Sequence, residues 1–509
     1  MKKSNISDSD FIPLVKKEAS GLLILANSIM ENPNLKLIKT RPFIGRLNLE
    51  SSKVEEFLDS CGAMGNVFWF PFREKTAAIK LFSQILYILI HLQYASYPLL
   101  KIKEDFSKEL EENIEVILSA IIKAAGDIIN ESRQKQISLS ASCDRINFDG
   151  ELYTGVLTQN KKVRHIEKPE KTVVYLATSF LNLSEESRLF EIHHKIKKSE
   201  YAQCIPDTIS EEKLRGIEQK FHNLQSLYDT YIINSDIESF DKNLPVLRGH
   251  ISVIFHLLEI ATKLSHYYER HMVNGYNKGN SKFIPPISKR SILKILMKFS
   301  VAFSSLFLEA ATELCRQMLK QYAIQGEIIV NIPPYRGFHI RPSTLIAAIV
   351  NHYGSDVFLI MEEEKYDASQ PLEVFRLNEK INSQKRKYIA QSIDKLSIVH
   401  KNDDKRGKEV EPVVRKIFSE LLTEGKVILY EQITPFPAMA KETAAEYAKR
   451  YFAHFLALGN IDIQLQIRVS FSGDQRVLND IKILADHGYG EDKFGNNIAL
   501  PSELAYLKR

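Results

Sequence analysis

The sequence predicts an α+β chain: a large, mainly α-helical N-terminal region, then a segment in which short strands alternate with helices, then a small C-terminal α/β segment. Three observations carry this. Gly and Pro are scarce, 21 and 18 in 509 residues, which favours long helices over turns. Apolar residues recur at helical spacing through most of residues 1–325. From Glu327 the pattern changes to the strand-like run Glu327-Ile328-Ile329-Val330-Asn331-Ile332, which leads within a few residues into an amphipathic helix from about Ser343 to Tyr353.

A chain of 509 residues predicts about two to four domains. The expected division is a helical region over 1–135, a small β-containing insertion or linker over 136–185, a second helical block over 186–325, a strand-and-helix domain over 326–426 and an extension over 427–509. The hydrophobic fraction of 44% and charged fraction of 26% are those of a globular protein. Against 68 Lys and Arg stand 63 Asp and Glu, a net charge of +5, so nothing in the charge calls for a nucleic-acid partner. Cys61, Cys143, Cys204 and Cys315 are far apart and form no Cys-x-x-Cys pair, which argues against a disulfide framework and a zinc site. The polar start, Met1 to Asp10, lacks the apolar core of a signal peptide. The most apolar window, Leu81–Leu100, carries Ser83, Gln84, His91 and Gln93 and reads as a buried helix. These features predict a cytoplasmic chain with no membrane insertion and no cofactor.

In order, the first region predicts helices over Phe11–Glu31, Ser52–Ser60, Glu74–Gln93 and Glu104–Ser132. The aromatic cluster Gly65 to Phe72 is read as core rather than as an exposed partner site. Asp149-Gly150, flanked by apolar alternation in Arg145–Tyr153, signals a hairpin. Thr172–Leu176 is either a strand or the start of a helix, and basic Lys161–His165 is a solvated loop. On a helix over Leu247–His271, the residues His256, Glu259, Lys263, His266 and Arg270 share one narrow arc, read as a solvated face with a Glu259–Lys263 pair. A carboxylate metal centre needs repeated Glu-x-x-His pairs, and Glu191–His194 alone has that spacing, so none is expected.

The stretch with chemical content is Gly337-Phe338-His339-Ile340-Arg341-Pro342-Ser343-Thr344. Pro342 suits a first helical turn and biases Arg341 away from helical φ/ψ, so the helix should begin near 342. The first N–H groups of a helix lack internal partners and carry the positive end of the macrodipole, which favours an anion beside the His339 imidazole. Arg341 adds a guanidinium fork suited to phosphate oxygens. Together these point to a phosphoryl acceptor.

This octapeptide resembles the active-site signature of HPr, the histidine-containing phosphocarrier of the phosphoenolpyruvate sugar phosphotransferase system, and the likeness covers residues 326–426. The order of elements is also similar: helix Ser343–Tyr353 closing at Gly354, strand Asp356–Glu362, a helix from Pro371, a strand Lys395–His400 and a helix near Lys408–Thr423, giving β-α-β-(β)-α-β-α. The resemblance implies an HPr-like open-faced β-sandwich. It implies that His339 is phosphorylated by a donor protein of the phosphotransferase system, with Arg341 and the helix N-terminus at Ser343 and Thr344 stabilising the phosphate. Ile340 is bulkier than the family's small residue, Pro371 stands where many members have a regulatory serine, with Ser369 nearby, and Leu377–Asp394 exceeds the family's connection.

The remainder predicts a strand Val427–Glu431, a helix Lys441–Leu458 and an alternating strand Ile461–Val469. The tail Asp486–Asn497 is rich in glycine and oxygen ligands but misses the calcium-loop spacing, so it is read as a turn-rich loop whose acids and His487 are candidates to approach His339. Two functions stay open: a phosphocarrier in a regulatory role, and a non-catalytic regulatory or scaffold protein that uses the module and the helical block to bind partners. No Walker-type glycine loop is present.

Overall fold

A computed structural model describes residues 6–31, 38–95, 103–139, 162–187, 189, 197–273 and 284–507. Helix makes up 69% and strand 7%, so the chain is mostly α with some β, as expected. Two compact units divide it, Met1–Cys315 and Arg316–Arg509. The hairpin expected at Arg145–Tyr153, Lys161, Cys143 and the Glu191–His194 pair lie outside the described residues.

In the first unit the expected Phe11–Glu31 helix is two, Asp8–Glu18 and Ser20–Glu31. Ser52–Ser60 proves to be the end of a longer helix, Arg41–Ser60, started by Thr40, whose hydroxyl accepts from Phe43 N. The helices Phe70–Tyr94 and Lys103–Gln134 follow. Within the aromatic cluster Trp69 and Phe72 are buried, with Trp69 edge-on to Phe11 at 5.0 Å, whereas Val67 and Phe68 stay exposed. Thr172–Leu176 lies in the helix Pro169–Ser187.

The expectation of no membrane insertion needs correction. Among the described residues three helices are long and apolar enough to cross a membrane: Phe70–Tyr94, Asn243–Met272 and Lys289–Gln321. The window Leu81–Leu100 takes in only the later part of the first. The helix begins at Phe70, and Ser83, Gln84, His91 and Gln93 are uncharged, so they weigh far less against a span than the carboxylates and cations that decide it.

The second unit contains, among its described residues, an antiparallel four-stranded sheet in the order β1-β6-β2-β3, from β1 (Gln325–Asn331), β2 (Val357–Met361), β3 (Glu364–Asp367) and β6 (Arg468–Asp474). Register pairs Val330 with Val469 and Leu359 with Phe471, which turns Val330, Val469, Phe471, Val357 and Leu359 to one face. Those residues are buried, while Ile329 and Phe358 on the opposite face are exposed. Three helices cover the buried face: α1 (Ile340–Tyr353), α2 (Pro371–Asp394) and α5 (Gln475–Asp486). In chain order the sheet and its helices run β-α-β-β-α-β-α.

A long excursion separates α2 from β6. It holds α3 (Glu411–Thr423), β4 (Val427–Leu429), α4 (Ala444–Leu458) and β5 (Ile461–Ile463), with β4 and β5 forming a two-stranded ribbon. Val414, Ile417, Leu421, Phe452, Phe455 and Ile461 form its core, which Ile389 and Ile393 of α2 also enter. The strand expected at Lys395–His400 is instead a short helix, Ser397–His400. Leu396 and Val399, three apart, both face this core, a helical spacing where alternation had suggested a strand. The single strand expected at Ile461–Val469 is split between β5 and β6. The extra length Leu377–Asp394 completes the 24-residue α2 and carries it onto the inserted layer, where Lys385 Nζ and Asp462 Oδ1 form a buried ion pair at 2.6 Å.

Candidate functional site

The chain leaves β1 through Pro333-Pro334 and turns at Arg336 and Gly337, both left-handed, with φ of 50° and 63°. A Cβ at 337 would lie 2.5 Å from Asn378 Oδ1 and push that side chain aside, on top of the strain of the left-handed backbone. That oxygen accepts from Phe338 N at 2.8 Å, and Asn378 Nδ2 donates to Arg336 O, so α2 clamps the turn. Phe338 is buried edge-on to Tyr489 at 5.8 Å. The turn therefore delivers His339 to the start of α1.

His339 is the N-cap residue of α1, in extended conformation, with no side-chain capping bond. Pro342 sits in the first turn, which opens two residues earlier than the sequence implied. Ser343 N already donates to His339 O at 3.2 Å, so within the first turn Ile340 and Arg341 carry the N–H groups that have no intrahelical acceptor. The hydroxyls of Ser343 and Thr344 are turned to backbone carbonyls, donating to Phe338 O and Ile340 O at 2.9 and 2.7 Å. Ser343 is buried and Thr344 exposed. Their part is to shape the helix start, and the free amides lie one turn earlier than the sequence suggested. Ile340 is 77% exposed and so does not crowd the imidazole.

The structure brings His339 and Arg341 together with one residue of the tail. His339 Nε2 lies 2.7 Å from Glu491 Oε2, and Arg341 Nε lies 3.8 Å from Glu491 Oε1. Arg341 Nη1 donates to Asn497 Oδ1. The Glu491 side chain is 8% exposed and the His339 side chain 22%. His339 Nδ1 makes no hydrogen bond with a described residue. Tyr335 meets the imidazole edge-on at 5.4 Å and Tyr430, from the inserted layer, meets Tyr335 at 4.9 Å. Arg336 ties the turn to that layer, donating to Gly459 O at 2.7 Å and Glu431 Oε1 at 3.0 Å.

The tail forms the expected turn-rich loop. Asp492 Oδ1 accepts from Phe494 N and Asn496 N, and Ile498 N donates to Gly490 O. Of the tail residues singled out from the sequence, Glu491 reaches His339. Asp492 holds its own turn, and His487 Nδ1 bonds Ile483 O at the end of α5. Ser369 sits in the turn before α2, its N–H on Asp367 Oδ1, while Gln370 is the N-cap.

The stripe on the helix Asn243–Tyr267 is paired within the first unit. Glu259 lies 3.5 Å from both His256 and Lys263, and His266 Nδ1 is 2.8 Å from Glu211. The expected Glu259–Lys263 pair is present; His256, Glu259, Lys263 and His266 are half-buried, while Arg270, past the end of this helix, is exposed. Among the described residues no group of three or more His, Cys, Asp or Glu is placed to hold a metal ion.

No known family model matches the chain, and no curated protein or solved structure matches it.

Proposed function

We propose that the chain is an HPr-like phosphocarrier with a regulatory role, in which His339 accepts a phosphoryl group from a phosphorylated donor protein of the phosphotransferase system. One observation carries the reading: a part-exposed imidazole stands at the N-cap position of the helix that follows the first strand, with a guanidinium two residues on and a free Nδ1. The element order β-α-β-β-α-β-α, with helices on one sheet face, supports it by matching what the signature at 337–344 implies, once β6 is taken as the fourth strand.

The chemistry asked of the protein is small. Phosphoryl transfer depends on positioning and on offsetting charge at the phosphoryl oxygens. A neutral imidazole is the nucleophile. Arg341 and the unbonded amides of Ile340 and Arg341 supply positive potential beside it. Ile340, exposed next to the imidazole, offers a donor protein an apolar contact.

The test is incubation of the purified chain with phosphoenolpyruvate and the general phosphotransferase enzyme that phosphorylates HPr, with intact mass read at alkaline pH. Gain of one acid-labile phosphate, absent from His339→Ala, is the expected result. A folded wild-type chain that gains none, from this donor and from a cognate donor of the source cell, overturns the reading.

A further inference from the structure

We infer that Glu491 is a positioning residue that keeps the proton of His339 on Nε2 and thereby makes Nδ1 the phosphoryl acceptor; this rests on the carrier reading. A neutral imidazole has one N–H, and either nitrogen can carry it. An ionised carboxylate only accepts hydrogen bonds. With Glu491 Oε2 2.7 Å from Nε2, the bond forms only if the proton is on Nε2, which leaves a lone pair on Nδ1.

The carboxylate is held in place by its loop. Tyr489, at φ 58°, is buried and donates its hydroxyl to Asn331 O at 2.8 Å at the end of β1. Gly490 takes the left-handed φ of 75° that the loop needs beside Arg341. Asn497, bridged to Glu491 through the backbone, accepts from Arg341. Gly495 lies against the ring of Tyr335, which in turn meets His339 edge-on. Both faces of the dyad are thus braced, and a carboxylate this buried has little freedom to leave the imidazole.

The transfer then balances. The Nδ1 lone pair attacks phosphorus and forms the N–P bond, while the bond from phosphorus to the donor's leaving atom breaks with its electron pair returning to the donor. The Nε2 proton stays where it was, so no proton has to leave the ring. The imidazole becomes cationic as the bond forms, and Glu491 offsets that charge at 2.7 Å. Passing the phosphoryl group on reverses each step and restores the same tautomer.

The experiment is 15N NMR of the full chain labelled at histidine, at a pH where the ring is neutral, on wild type, Glu491→Ala and Glu491→Gln. His339 in the wild type should be protonated on Nε2, and phosphorylation should give the Nδ1 product alone. Glu491→Ala should lose the tautomer preference and take up phosphate at least about tenfold more slowly. Glu491→Gln, which keeps an acceptor oxygen, should keep the tautomer and recover part of the rate. Protonation on Nδ1 in the wild type, or an Ala variant with unchanged tautomer and rate, overturns the inference. The wild-type tautomer is read without any donor, so it stands or falls separately from phosphate uptake, whose absence would count against the carrier reading alone.

Discussion

The Glu491 carboxylate is shared between Arg341 and His339: the guanidinium Nε is 3.8 Å from one of its oxygens while the other oxygen holds the imidazole at 2.7 Å. The first separation is too long for a hydrogen bond and the second is a good one, so the carboxylate is committed to the histidine and Arg341 keeps donor capacity. Arg341 Nε has no hydrogen-bond partner among the described residues. That nitrogen is itself buried, so on the proposed reading it is the exposed part of the guanidinium that meets an incoming phosphoryl oxygen.

Arg341→Ala should therefore slow phosphoryl uptake by about 10- to 100-fold, the worth of a charge-assisted hydrogen bond of about 1.5–3 kcal/mol. Arg341→Lys should recover only part of this, since a single ammonium does not reproduce the fork. Rates from mass spectrometry at fixed donor concentration check it. Equal rates for wild type and Arg341→Ala would remove the guanidinium from the site.

Gly337→Ala should damage the turn that presents His339. An alanine in this left-handed conformation costs about 1–2 kcal/mol, and its Cβ would push Asn378 Oδ1 off Phe338 N. Denaturant unfolding should show a loss of about 1–3 kcal/mol, and Asn378→Ala should reproduce the part due to the clamp. A Gly337→Ala chain as stable as wild type would show that the turn can rearrange.

The turn was readable from sequence because its determinants are local: a glycine, a histidine and a proline placed between an apolar run and an amphipathic helix. The fourth strand was hidden because 461–463 and 468–474 belong to different sheets, while the alternation Ile461-Asp462-Ile463 to Val469 runs across both. Glu491 was harder still. It lies 152 positions from His339, in a loop whose sequence signal is a concentration of glycine, asparagine and aspartate, and nothing local says which of its acids turns inward. The apolar window at Leu81–Leu100 covers only part of the helix Phe70–Tyr94, whose uncharged polar residues weigh less against a span than charges do.

His352 gives the second unit an acid limb. It is 4% exposed on α1, stacked on Tyr506 at 4.1 Å, and burial, with Arg316 nearby, pushes its pKa down to about 3. The unfolded chain binds a proton there below about pH 6.5 and the folded chain does not until far lower, so the stabilisation is whole above 6.5 and lost as pH falls towards 3. Relative to His352→Phe, which keeps an aromatic stack, the wild type should lose about 2 kcal/mol between pH 6.5 and 5. Urea unfolding at the two pH values measures it, and parallel losses in both chains would exclude His352 as the source.

Lys385 and Asp462 join α2 to β5 through an ion pair in which each side chain is only 4% exposed. Asp462 Oδ1 also accepts from Ile463 N at 2.7 Å, so the carboxylate is well satisfied where it sits. Removing either partner leaves a buried charge without compensation. Lys385→Met or Asp462→Leu alone should cost about 3–5 kcal/mol, whereas the double variant, with both charges gone, should recover much of that loss. Because α2 also carries Asn378, which clamps the turn before His339, the single variants should slow phosphoryl uptake as well, and the double variant should restore it. A double-mutant cycle read by unfolding and by uptake tests both. Additive losses would mean the pair stabilises the layer through separate contacts, and an undiminished uptake rate in the single variants would detach the inserted layer from the site.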